Sequence, residues 1–202
     1  MTARPWTIGP ASIRELAAAG FPQPAIALVI GLVAMFNYLT RVADGTGIEA
    51  DYGSELPRFE YRDITESVPR PDPAHWPAVD DSIQLVSMVP GVYEAWGRWR
   101  EYVLEGPPPI SMATRHQLRT IAARNACDAA VAQAEPESAG PLSDFAEKLS
   151  LTPWLVASAD VESLRATGMD DLSILHVIAV VAYQSAESRL RIGLSALARS
   201  GA

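Results

Sequence analysis

Two long apolar segments, one near each end of the chain, dominate its pattern of hydrophobic and polar residues. Residues 24–45 begin with Pro24, which suits a first helical turn, and residues 171–197 have the same apolar character. Both segments are apolar around nearly the whole helical circumference. This predicts two central helices that neighbours cover on most sides. Gly20 can close a shorter helix over residues 11–20 in a left-handed conformation.

Prolines divide the middle of the chain into further elements. Four prolines within residues 68–77 predict an extended linker. Residues 91–106 carry an apolar helical stripe formed by Val92, Trp96, Trp99 and Val103. Ser111 can cap a helix over residues 112–133, and Asp170 can cap the last helix. No segment shows convincing strand alternation, so the predicted fold class is all-α.

The two ends of the chain resemble each other at a fixed offset of 148 residues. Residues 12–45 align without gaps to residues 160–193, with ten identical pairs in 34 positions. The shared positions include the glycine stop, an arginine and the final glycine of the segment. We interpret the pattern as an internal repeat of a short and a long helix, and we expect the two long helices to share one core around a local two-fold axis. Two independent domains joined by the linker are the alternative.

Composition and charge narrow the classes of function. A net charge of −8 argues against nucleic-acid binding and against docking on anionic lipid. The start of the chain lacks a signal pattern, and the apolar run at residues 25–36 is shorter than the roughly 20 residues of a spanning helix, which favours a core helix. One cysteine excludes an internal disulfide and fits a reducing compartment. We therefore expect a cytoplasmic protein that binds neither membrane nor nucleic acid.

Three stretches carry a resemblance to a known superfamily. Residues 142–183 (a short helix ending in KL, a proline loop, LR..G..D and a long apolar helix), residues 36–52 (the turn RVADGTG) and residues 110–133 resemble the carboxymuconolactone decarboxylase and alkylhydroperoxidase D-like superfamily. The resemblance implies an all-helical bundle, an oligomer of two or more copies and, in the redox branch, peroxide-reducing chemistry. It divides the chain into an extra copy of the terminal helix pair (1–50), a proline-rich linker (51–81) and a family-like core (82–202), probably packed as one unit.

The redox motif implied by this resemblance is incomplete. The family places Glu twelve residues before Cys-x-x-Cys, and His four residues after the second cysteine. With Cys127 as the first cysteine, Ala130, Ala134 and Arg115 occupy the other positions. Cys127 as the second cysteine retains no partner either. A dithiol relay within one subunit is therefore impossible, and a site with one cysteine would need an external thiol to resolve its sulfenic acid.

Cys127 and His116 are the candidate catalytic residues. Cys127 is either a small apolar residue in a helix contact or a reactive thiol assisted by Arg124. His116 lies eleven residues earlier, about 16 Å along a helix, and is predicted to be solvated rather than a base. His176 is expected in the core. The histidines show no metal-ligand spacing, and no motif indicates a cofactor. The glutamates of the Trp96 helix (Glu94, Glu101, Glu105) could serve a pocket or be surface charges.

Three functions remain open at this point. The first, implied by the resemblance, is an alkylhydroperoxidase-like antioxidant protein without dithiol chemistry. The second is a non-catalytic oligomeric scaffold or a partner of an active paralogue. The third is a non-redox enzyme of the decarboxylase branch. A dry interior around Cys127 would favour the scaffold, whereas a pocket with converging polar groups would favour an enzyme.

Overall fold

A computed structural model describes residues 1–48, 70–80, 90–132 and 139–201, and these residues form helices without strands. The predicted all-α class is confirmed. The α-helices are α1 (Pro10–Ala18), α2 (Gln23–Thr46), α3 (Pro90–Arg100), α4 (Met112–Ala126), α5 (Pro141–Leu151), α6 (Ser158–Ala166) and α7 (Asp171–Ser200). Ser111 caps α4 through the Thr114 N–H, and Asp170 caps α7 through the Ser173 N–H, as predicted.

The two long helices, α2 and α7, pack side by side and run in opposite directions, which confirms the prediction that they share a core. Glycines allow the close approach at both ends of the contact. A methyl group at Gly45 would lie 2.9 Å from Ile178 Cγ2, and one at Gly193 would lie 2.7 Å from Ile30 Cγ2. Because isoleucine is branched at Cβ and stiff, neither side chain can easily move aside.

The elements at the two ends of the chain lie at a constant separation of 148 residues. Helix α1 and helix α6 begin and end at that separation, and α2 and α7 begin at it. The 3-10 turns before them, Pro5–Thr7 and Pro153–Leu155, follow the same offset. These turns lie outside the aligned stretch of residues 12–45 and 160–193, and both contain a Pro-Trp pair.

Two buried arginines occupy equivalent places on the long helices. Arg41 on α2 donates a hydrogen bond to the Ser150 carbonyl at 2.7 Å, and Arg189 on α7 donates to the Thr2 carbonyl at 2.9 Å. Both donors and both acceptors differ by 148 positions. Each guanidinium ties its long helix to the segment that precedes a 3-10 turn, where the carbonyl has no helical partner.

The prediction that neighbours cover α2 on most sides is wrong. Six large apolar side chains of α2 are 41–58% exposed, namely Leu28, Val29, Leu32, Met35, Phe36 and Leu39. The apolar run also continues as one helix of 24 residues, because the polar side chains of Asn37 and Arg41 are buried within the fold. Among the described residues, α2 is the single helix long and apolar enough to cross a membrane by itself, with a mean hydropathy of 1.8 and 28% of the tested window buried.

The larger hydrophobic core lies around the first half of α7. Apolar residues of α4 (Leu118, Ile121), α5 (Phe145, Leu149) and α7 (Val177, Val181) pack together there. Much of the predicted linker, residues 51–69 and 81, lies outside the described residues, as do residues 82–89 at the start of the predicted core. The described part of the linker contacts α7, where Asp80 N donates to Ser195 Oγ at 3.0 Å.

A π-helical turn, Glu101–Glu105, follows α3 and turns two successive apolar residues, Val103 and Leu104, into the core. Buried Arg115 of α4 donates hydrogen bonds to the carbonyls of Gly106 and Pro107, directly after the turn. These bonds satisfy carbonyl groups that the end of the helix leaves open. π turns are rare and often lie at functional sites.

Candidate functional site

Cys127 lies at the C-cap of α4 rather than on its helical face. Its φ of 58° and ψ of 39° are left-handed, and it is the one non-glycine residue with positive φ in the described part of the chain. The side chain is fully buried. Burial raises the pKa of the Cys127 thiol to about 11, and the charge of Arg70 opposes that rise. The neutral thiol is therefore strongly favoured, which suits a small apolar residue better than a nucleophile.

The predicted partners of Cys127 do not meet it. His116 is exposed near the start of α4, at the opposite end of the helix from Cys127. His176 is buried, and its Nε2 lies 3.0 Å from the Val103 carbonyl oxygen, as expected of a core histidine. His75 is exposed in the linker. No group of three metal-binding side chains forms among the residues that the structure describes.

A buried polar cluster forms instead where α7 passes α4 and the end of α3. Its central residue is Glu187, whose side chain is 14% exposed and whose Oε1 lies 3.8 Å from Arg100 Nε. Burial raises the pKa of Glu187, while the nearby guanidinium groups of Arg119 and Arg100 oppose the shift. Sequence reasoning missed Glu187 as a site residue. Its signal was a carboxylate on a largely apolar helix, opposite Leu39 in the repeat.

Tyr183 lies one helical turn before Glu187 and is also fully buried. Its ring stacks on Trp96 of α3, with the ring centroids 4.7 Å apart. Burial, reinforced by the charge of Glu187, raises the pKa of the phenol. Neither the Tyr183 hydroxyl nor Glu187 Oε2 has a hydrogen-bond partner among the described residues. Two polar groups thus stand ready to bind a further molecule.

Other charged groups of the cluster are already neutralised in pairs. Arg100 bonds Glu105 at 2.6 Å, five residues further along the π turn, so Glu105 is the predicted glutamate that reaches the site. Buried Asp128 lies 3.8 Å from Arg191. Arg119 donates to the amide oxygen of Gln184 at 3.0 Å.

The remaining charge balance depends on Glu187. When Glu187 is protonated, Arg119 keeps a hydrogen bond to a neutral amide but has no carboxylate partner within the cluster. The cluster then carries an excess positive charge, which suits a small anion. Arg100 is 40% exposed on its side chain, so the cluster has access to solvent on that side.

A separate open groove lies between the end of α2 and the start of α6. It has a volume of about 460 Å³ and is lined by residues that include Asp44, Val156 and Arg165. Arg165 is already paired with Asp171 at 2.8 Å. The groove therefore offers less chemistry than the Glu187 cluster. Comparison of the whole chain with protein-family models, curated proteins and solved structures gives no match.

Proposed function

We propose that this chain is a relative of the carboxymuconolactone decarboxylase and alkylhydroperoxidase D-like proteins that acts by acid–base chemistry on small carboxylates. The observation that carries the proposal is the half-closed cluster in which Glu187, with a raised pKa, lies beside Arg100, Arg119 and Tyr183. Carboxyl groups with raised pKa values in partly buried sites are typical of general acids. Of the three candidate functions, the cluster favours the non-redox enzyme.

In this proposal each group has a separate role. Arg119 binds the carboxylate of the substrate, since its charge lacks a carboxylate partner whenever Glu187 is neutral. In a decarboxylation, the bond to the carboxylate carbon breaks, CO2 leaves and the electron pair remains on the substrate carbon. The neutral Glu187 carboxyl then donates a proton to that carbon, while the Tyr183 hydroxyl donates a hydrogen bond to the developing anion.

The environment of Cys127 counts against the antioxidant alternative. A peroxide-reducing thiol must ionise and meet its substrate, whereas Cys127 is fully buried with a raised pKa. Its nearest basic residue along the helix, Arg124, does not bring the thiol into the range of a reactive cysteine. A peroxide-related role would need an external thiol and a local opening of the cap.

We further propose that residues 1–48 and 149–201 are copies of one ancestral unit. The 148-residue offset joins ten identical sequence pairs, the paired 3-10 turns, the bounds of α1 and α6, and the arginine–carbonyl contacts. The close contacts of Gly45 with Ile178 and of Gly193 with Ile30 exchange equivalent positions, as a local two-fold axis requires. Deletion of the Arg41 and Arg189 side chains one at a time should destabilise the protein by similar amounts.

Binding of a small carboxylate tests the proposed function directly. Because Trp96 stacks on Tyr183, tryptophan fluorescence should report occupancy of the cluster, with benzoate and succinate as probes. We expect saturable binding that weakens at least tenfold in Arg119→Gln. Glu187→Gln should keep binding, because glutamine resembles the protonated carboxyl, but it should abolish any turnover of a carboxylate that the wild type decarboxylates.

Arg98→Gln is the matched control, since Arg98 lies on the exposed side of α3 in a weak surface pair with Glu94 at 4.0 Å. Its affinity for the probes should equal that of the wild type. Equal binding by Arg119→Gln and Arg98→Gln would refute the assignment of Arg119. Absence of saturable binding by both probes across the pH range would refute the carboxylate site.

A further inference from the structure

The exposed apolar side chains of α2 form a continuous stripe along the helix. Leu28, Leu32, Met35 and Leu39 follow one another at spacings of four, three and four residues, and Val29 and Phe36 lie beside them. This spacing is the seam of a coiled coil, in which one helix packs lengthwise on another. We refer to these six residues as the α2 stripe.

The equivalent face of α7 shows what this position in the fold accommodates. The residues 148 positions after the seam are His176, Val180, Tyr183 and Glu187. The first three are at most 5% exposed, and α4 and the π turn lie against this part of α7. The main described neighbours of α2 are α1, α5 and α7. No described helix takes the place on α2 that α4 takes on α7.

We propose that a second copy of this chain covers the α2 stripe, with α2 packed against its counterpart around a two-fold axis. A two-fold interface places the same surface of each copy against the other, so the surface must be complementary to itself. The α2 stripe meets that requirement because α2 carries no charged residue from Gln23 to Thr40. Self-association therefore buries no unpaired charge of the stripe.

The size of the stripe also fits a dimer. Six large side chains with about half of their surface exposed amount to roughly 500 Å², at the upper end of the largest apolar patch on a typical monomer. A stable interface buries roughly 800 Å² on each partner, and side chains at the margin of the stripe can supply the remainder. The packing of long helices along such a seam is the common arrangement in helical bundles.

A lipid bilayer is a poorer partner for this surface. The seam from Leu28 to Leu39 extends about 17 Å along the helix, whereas a hydrocarbon core is roughly 30 Å thick. The opposite side of α2 is occupied by α7, and its buried Arg41 is bonded to the Ser150 carbonyl. The net charge of −8 also repels anionic membrane surfaces.

Sedimentation of the full chain between 1 and 100 µM tests the proposal. We expect a dimer for the wild type, and at least a roughly 100-fold weaker dimer for Leu39→Glu, because the substitution would bury a charge at the seam. Leu175→Glu on α7 is the matched control, since Leu175 and Leu39 are both 48% exposed. The control should remain dimeric, and circular dichroism should show that both variants are folded.

Cross-linking gives a second measurement that does not depend on a charged variant. Leu32→Cys should form a disulfide-linked dimer under mild oxidation, whereas a cysteine in place of Leu175 should not. A monomeric wild type at 100 µM would overturn the proposal. So would equal dissociation by Leu39→Glu and Leu175→Glu. Binding of a monomeric wild type to phosphatidylcholine vesicles would assign the stripe to a lipid surface instead.

Discussion

The reactivity of Cys127 decides between thiol chemistry and a packing role, and its expected size follows from the structure. The perturbation is reaction of the native protein with a disulfide reagent such as 5,5′-dithiobis(2-nitrobenzoate). Only the thiolate reacts, so the rate depends on the fraction of ionised thiol and on access to it. Burial limits both quantities at Cys127.

The ionised fraction alone predicts a large reduction in rate. With a pKa of about 11, roughly 0.1% of the Cys127 thiol is ionised at pH 8, whereas an ordinary thiol with a pKa of about 8.5 is roughly 24% ionised. We therefore expect a native rate about 200-fold below that of a free cysteine, before the cost of opening the C-cap is included. Unfolding in urea should remove the whole difference.

A matched cysteine makes the assay quantitative. Ala166 lies at the exposed end of α6, so Ala166→Cys in a Cys127→Ser background should react at nearly the rate of a free thiol. A native Cys127 that reacts within a few-fold of this control, with a pH midpoint at or below 8.5, would refute the reasoning. Such a result would also restore a peroxide-related role as the leading proposal.

Two further predictions concern stability. Gly193→Ala should destabilise the protein by about 1 kcal/mol, because overpacking against Ile30 costs roughly 1–3 kcal/mol and the gain in helix propensity offsets about 1 kcal/mol. Gly97→Ala, with open space around it, should stabilise by about 0.5–1 kcal/mol, and equal gains for both in urea unfolding would contradict the close approach. For Glu187, the raised pKa means that ionisation opposes folding: its contribution to stability is complete below its usual pKa of 4.5 and is lost as pH rises through the folded value. The stability of Glu187→Gln should therefore fall less than that of the wild type across this window, and parallel thermal-unfolding profiles of the two proteins would exclude a raised pKa.

Local sequence determined the helical elements of this protein. Prolines and apolar periodicity mark where helices begin and which faces pack, and these signals act over a few residues. Ser111 and Asp170 cap α4 and α7 for the same local reason. The offset of 148 residues also predicted that α2 and α7 pack together, because each is too apolar to remain in water on all sides.

Tertiary structure alone decided the candidate site and the state of Cys127. Glu187 meets Arg100 and Arg119, which lie 87 and 68 positions earlier, only because α7 crosses α3 and α4, and no local pattern encodes that crossing. Cys127 was predicted on a helix, but the chain ends α4 there and places the residue in a left-handed cap. The pKa values of both groups depend on burial, and burial is a property of packing between elements distant in sequence.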